Sequence, residues 1–167
     1  MLDTEAAAIC SELLYREGLL LDRQDWDAWL ALYAEDAVFW IPAWLDEHKV
    51  TSDPNREVSL IYHDSRVGLE ERIMRIRTRK SVTTLPLPRT VHMVTNILPV
   101  RVAKDTIEAT SSWTVHGYDP RVSRPHMFFG RYEHQFRQGA DDVWRIARKT
   151  VLLTNDMIPT ALDFYSV

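Results

Sequence analysis

The second half of this chain constrains its fold more than any other feature, because from Val91 onward it is patterned almost entirely as strand. Four long stretches, Val91 to Val102, Thr106 to Tyr118, Met127 to Arg137 and Val143 to Leu153, carry strand character. Short turn-rich segments around Lys104-Asp105, Asp119-Pro120 and Gly139 separate them, a spacing that predicts an antiparallel meander. In the second stretch Ile107, Ala109, Trp113 and Val115 share one face, while Glu108, Thr110, Ser112 and Thr114 share the other, so one face turns inward. The first stretch is apolar on both faces, with Val91, Met93 and Ile97 opposed to Val94, Leu98, Val100 and Val102. Such a strand is expected where helices cover one face of a sheet and something else covers the other. Pro99 interrupts it, which argues for a bulge or a sheet edge.

Helical periodicity is confined to the earlier residues. Glu5 to Leu21 reads as a helix entered through Asp3 or Thr4 as N-cap, with Ile9, Leu13 and Leu20 at helical spacing. A short second helix follows, capped by Asp25, in which Trp26, Trp29, Leu30 and Tyr33 fall at i, i+3, i+4 and i+7 on one stripe suited to packing on a sheet. Ala37 to Ile41 reads as a strand stopped by Pro42, Trp44 to Asn55 as a long polar surface loop, and Val58 to Tyr62 as a short strand or turn. Leu69, Ile73 and Ile76 place a third helix over Val67 to Arg77. Helices first, then a long curved antiparallel sheet packed on them, is the α+β order of the cone-shaped fold of cystatin-like proteins, nuclear transport factor relatives, ketosteroid isomerase and scytalone dehydratase. With no internal repeat or low-complexity tract, residues 1–167 read as a single domain.

A content of 46% hydrophobic and 26% charged residues is that of a soluble globular chain rather than a disordered or fibrous one. The net charge of −4, without a Lys/Arg block, repels phosphate backbones, so neither nucleic acid nor an anionic membrane is expected as a partner. The start, Met1-Leu2-Asp3-Thr4-Glu5, lacks a basic and an apolar leader region, and a cytoplasmic location is expected. The single cysteine, Cys10, excludes an intrachain disulfide and any thiolate-held cluster built by this chain alone, and reads as a small buried helix residue.

Chemistry-bearing residues are scattered. His92, His116, His126 and His134 fall on three predicted strands, and none of the six histidines shows the close spacing of a metal site, so no metal is expected here. His63-Asp64 reads as a solvated turn. Inside a cone, Asp22, Asp36, Tyr15, Tyr33 and His92 are the candidates for acid/base work, with core packing the plainer role of both tyrosines and a turn that of Asp36. No Ser/His/Asp or Cys/His pattern and no glycine-rich phosphate loop occurs among only five glycines. The six tryptophans fit core or interface anchors better than a stacking site for an aromatic ligand.

Three stretches carry a family likeness. They are Trp26-Asp-Ala-Trp-Leu-Ala-Leu-Tyr-Ala-Glu-Asp36 with Phe39-Trp-Ile-Pro-Ala-Trp44, then Pro88-Arg-Thr-Val-His-Met-Val-Thr-Asn-Ile97, and Trp144-Arg-Ile-Ala-Arg-Lys-Thr-Val-Leu-Leu153. With Arg72, Arg75, Arg77 and Thr78 between them, they span nearly the whole chain, and together they resemble the small, or beta, subunits of aromatic-ring-hydroxylating dioxygenases. The middle stretch looks like that family's Arg-Thr/Ser-x-His-x-x-x-Asn strand. Arg56 to Tyr62 and Gly68-Leu69-Glu70 resemble the branch acting on benzoate, anthranilate and 2-halobenzoate. Leu85-Pro-Leu-Pro88 departs from the acidic stretch found in many relatives.

The resemblance implies a non-catalytic subunit of an NADH- and O2-dependent oxygenase, an oxidoreductase of aromatic catabolism, assembled as a trimer of heterodimers. The large (alpha) subunit is then expected to hold a Rieske 2Fe-2S cluster and a mononuclear non-haem iron, with no cofactor on this chain. Arg89, His92, Asn96 and Arg148 match the family motifs and are expected in polar networks at or near subunit contacts, or tying strand ends internally. Two other readings stand beside this one. The first is a stand-alone cone-fold dehydratase or isomerase using acid/base catalysis. The second is a ligand-binding or dimerisation module without an oxygenase partner.

Overall fold

Helix α1 (Thr4–Asp22) begins where the side chain of Asp3 accepts a 2.9 Å hydrogen bond from the amide of Ala6, satisfying one of the donors that a helix start leaves open. The computed structural model describes residues 3–80, 85–158 and 161–167, so Met1 and Leu2, on which the leader argument partly rested, lie outside it. Asp25 caps α2 (Trp26–Leu30), which stops after five residues because Tyr33 already opens β1 (Tyr33–Pro42). The aromatic stripe expected on one helix is thus split between helix and strand, yet it still converges, with the rings of Trp29 and Tyr33 5.0 Å apart. After β2 (Ser59–His63) comes α3 (Arg66–Arg77), and then β3 (Arg89–Ala103), β4 (Thr106–Asp119), β5 (Arg124–Gln138) and β6 (Trp144–Leu153).

The six strands form one sheet in the order β2-β1-β6-β5-β4-β3. Strands β3 to β6 make the antiparallel meander expected from their spacing, but β6 pairs with β1 in parallel. The reason is the path of the chain: it leaves β1 through β2 and α3, starts again at the far edge, and returns strand by strand until β6 lies beside β1 pointing the same way. Helix α1 lies across β3 and α3 across β1, on the inner face of the sheet. There Phe39, Ile107, Trp113, Val115, Phe128, Tyr132, Phe136 and Val151 are buried with Leu14 and Leu21 of α1. Among the described residues the other, outer face carries no helix. No helix among the described residues is long and apolar enough to cross a membrane.

Strand β4 alternates as the sequence requires, with Ile107, Ala109, Trp113 and Val115 buried. Strand β3 does not alternate in the expected grouping. Its register slips between Thr95 and Leu98, where Asn96 adopts a left-handed φ of 55°, so the pleat changes phase. Val94 and Ile97 both face the core as a result, while Val91, Met93, Leu98, Val100 and Val102 all face out. Val91 and Leu98 are 56% and 59% exposed, values typical of surface residues although both are aliphatic. The expected edge at Pro99 is real, since β3 ends the sheet, but the bulge lies three residues earlier and Pro99 pairs normally with Ala109. A polar side chain able to adopt left-handed backbone is what this position needs. Asn96→Val is therefore expected to destabilise the fold by about 1–2 kcal/mol and Asn96→Gly far less, measured by urea denaturation.

Candidate functional site

The inner end of the cone is built from charges that the apolar periodicity of their own elements buries. Glu17 falls on the buried stripe of α1 with Cys10, Leu13, Leu14 and Leu21, and Lys149 on the inward positions of β6 with Val151 and Leu153. Their side chains meet at 2.9 Å (Nζ to Oε1), both almost fully enclosed. The hydroxyl of Tyr33 donates to the same carboxylate oxygen. Lys149 Nζ also donates to the main-chain oxygen of Val167 at 3.4 Å and sits 4.4 Å above the centre of the Tyr132 ring. Burial pushes the Glu17 carboxyl up, but the Lys149 ammonium and the hydrogen bonds from Tyr33 and Lys149 outweigh it, so Glu17 stays ionised below the usual carboxylate range. Burial lowers the ammonium of Lys149 against the pull of Glu17, and raises the phenol of Tyr33 together with Glu17, which keeps Tyr33 a donor.

His134 stacks on Phe136 beside this group, with ring centres 5.3 Å apart. At 3.9 Å its Nε2 is too far from Glu17 for a hydrogen bond, and burial pushes the imidazole down to about 3, so it is neutral near pH 7. The segment from Asp163 to Val167 seals the same end: Asp163 pairs with Arg72 at 3.2 Å, and Phe164 stacks on Trp29 at 4.7 Å. Phe164, Tyr165, Ser166 and Val167 are all buried. Side chains thus fill the space around Tyr33, Glu17 and Lys149, while Tyr15, Asp22 and His92 line a small open hollow of about 270 Å³ between α1 and β3. Asp36 lies outside it, exposed on β1 and paired with Arg137. Tyr15, expected in the core, is 57% exposed on α1, whereas Tyr33 is fully buried.

Asp22 and His92 do meet, at 2.5 Å (Oδ1 to Nδ1). Asp22 also accepts from Thr90 Oγ1 at 2.9 Å and from the His92 amide at 3.0 Å. Burial raises its carboxyl, and the His92 and Thr90 hydrogen bonds pull it below the usual range. The last residue of α1 is in this way tied to the edge strand by three bonds, which explains the Thr-x-His spacing as a clamp. Gly18 allows it, since a Cβ there would stand 2.9 Å from the Cβ of His92.

A family model described as "Ring hydroxylating beta subunit" matches residues 16–160. This chain belongs to that family. It is 41% identical over 158 residues to the anthranilate 1,2-dioxygenase small subunit of Acinetobacter baylyi, covering 94% of each chain. The crystal structure of the benzoate 1,2-dioxygenase beta subunit of Burkholderia mallei superposes with a TM-score of 0.78 at 33% identity, over 100% of this chain and 99% of that one. A protein of Novosphingobium aromaticivorans described as NTF2-like with a cystatin-like fold matches at a TM-score of 0.63 and 18% identity, covering 94% and 87%, which speaks to the fold alone. The chain is therefore a dioxygenase small subunit of the α+β cone type, and the stand-alone dehydratase or isomerase reading is not favoured.

In this beta subunit the four motif residues do not form one cluster. His92 is internal, in the clamp; Asn96 makes the bulge and donates to Ser112 Oγ at 3.3 Å; Arg89 lies outside, 5.8 Å over the Tyr118 ring. Arg148 lines a separate outer-face hollow of about 570 Å³ with Trp40, Leu98, Val100 and Glu133. Among the described residues no three His, Cys, Asp or Glu side chains come together as a metal site. Glu17 and Lys149, which organise the interior, were not singled out in the sequence, although a charge on an apolar helical or strand period was the signal available.

Lys149→Met strands the Glu17 carboxylate in the core and is expected to cost about 3–5 kcal/mol, most of it recovered when Glu17→Leu is added, as read from a double-mutant denaturation cycle. Because the folded His134 pKa is depressed to about 3 from 6.5, its share of stability is whole above pH 6.5 and drains away as pH falls toward 3. Glu17 and Asp22, both depressed, add a loss only below the ordinary carboxylate range of about 4. Urea midpoints of wild type should thus decline from pH 6.5 downward, and His134→Phe should reduce the slope between pH 6.5 and about 4.5, leaving the share of His63 and His126, whose imidazoles burial also lowers.

Proposed function

We propose that this chain is the assembling, non-catalytic subunit of a terminal oxygenase that dihydroxylates a benzoate-type aromatic acid. The observation that carries this reading is the contrast between its two sheet faces: the inner one is sealed by Glu17, Lys149 and Phe164, and the outer one is bare and apolar along β3. A subunit with a filled interior offers surface rather than a reaction chamber. The anthranilate and benzoate relatives suggest the substrate class.

In this reading the large subunit supplies the Rieske cluster and the mononuclear iron, NADH supplies electrons through a reductase, and three large and three small subunits assemble in the cytoplasm. The residues of this chain do not suit such a cluster: a Rieske centre takes two cysteines and two histidines, and here Cys10 is the single cysteine, buried, its thiol pushed up to about 11 by burial. Arg89 takes part in the contacts with the large subunit and Arg148 in those between small subunits, and His92 and Asn96 hold the strand that presents Arg89.

Co-expression with a tagged cognate large subunit tests the proposal. The pair should purify as one large assembly that consumes benzoate or anthranilate with NADH and O2, and the large subunit alone should neither assemble nor turn over. A large subunit that assembles and works normally without this chain would reject the role.

A further inference from the structure

The outer face is not uniform along its length. At one end the cross-strand rows run Arg89–Tyr118, Val91–His116–Met127 and Met93–Thr114–Phe129. Every large apolar side chain in these rows is exposed to solvent. The guanidinium of Arg89 rests on the Tyr118 ring and, among the described residues, has no carboxylate partner. No Asp, Glu or Lys lies in the rows. At the other end they run Leu98–Thr110–Glu133–Thr150 and Val100–Glu108–Gln135–Arg148, mixing acids with a base.

We infer that the Arg89–Phe129 end of the outer face is the docking site for the large subunit, whose matching surface is apolar and places a carboxylate opposite Arg89. This rests on the reading given under Proposed function. Arginine, tyrosine, methionine and phenylalanine with no lysine, aspartate or glutamate is the composition of an interface core rather than of ordinary surface. The patch is cationic and lacks an anion, so charge complementarity selects an acidic partner. A second copy meeting the same patch across a two-fold axis would set Arg89 against Arg89, a like-charge contact. Docking is on the face and not by strand addition, because the Asn96 bulge and Pro99 interrupt the free hydrogen-bonding edge of β3.

The test is titration of this chain against an immobilised cognate large subunit, with Arg89→Glu and Phe129→Ala as variants and Glu133→Gln, at the opposite end of the same face, as control. Arg89 and Phe129 are surface side chains, and thermal melts verify that each variant folds. Arg89→Glu and Phe129→Ala should each weaken binding at least about ten-fold, and Glu133→Gln should leave it unchanged. Wild-type affinity in both variants overturns the docking site while leaving the assembling role intact. No binding by the wild-type chain overturns that role and the docking site with it. Variants that change sedimentation of the chain alone, with binding to the large subunit unchanged, assign the patch to contacts between copies and overturn the proposal as well.

Discussion

One buried ion pair organises this protein. Glu17 comes from α1, Lys149 from β6, the hydroxyl that donates to the same carboxylate oxygen from β1, and a second acceptor for the ammonium from the main-chain oxygen of Val167. Removing two charges from water is costly, and the attraction between them repays the cost only when water stays out and the remaining hydrogen-bonding capacity is met. The pair therefore demands a closed lid over it, which the Asp163 to Val167 segment supplies by placing Phe164 on Trp29. A hydrophobic pair of similar volume would hold the same elements together with less geometric demand. What the ion pair adds is a single permitted arrangement, since a slip of α1 along the sheet would leave a charge without its partner.

Two further devices set the free edge of the sheet. The Asp22 clamp fixes the start of β3 against the end of α1, and the Asn96 bulge changes the phase of the strand beyond it. Without the phase change, the aliphatic residues on either side of the bulge would fall on opposite faces. With it, Val91, Met93, Leu98, Val100 and Val102 lie together in solvent. The stretch from Arg89 to Asn96 thus shapes the outer surface, although two of its residues, Thr90 and His92, never reach it.

Much of this architecture was legible in the sequence. The four-strand meander, the inward set on β4 and the capping of α1 and α2 by aspartates follow from period-2 alternation and from the need of helix starts for an acceptor. The grouping on β3 was misread because a bulge at an asparagine leaves no mark in hydrophobicity, whereas Pro99, which does leave one, sits in regular pairing. The parallel β1–β6 contact was not legible either, since pairing between distant strands is decided by chain path rather than local pattern. Tyr15 was placed in the core because aromatic residues on a helix are usually buried, but it falls between the apolar stripe and the solvent side of α1. The interior pair was missed for a related reason: charged residues were read as surface by default, and only the neighbouring buried positions show that Glu17 and Lys149 are not.

The chain path has a consequence for synthesis. Strand β1 is translated long before its partner β6, and the indole of Trp44, just past β1, bonds to the carbonyl of Leu153 across 109 residues. Contacts of such span are slow to form, because ordering the intervening chain comes before the reward. While the ribosome is still working, the hydrophobic strand Phe39–Ile41 has only the short β2 hairpin beside it and no shelter on its other flank. Until β6 emerges, the flank of β1 that it covers stays open, the kind of unpaired strand edge through which incomplete chains misassociate.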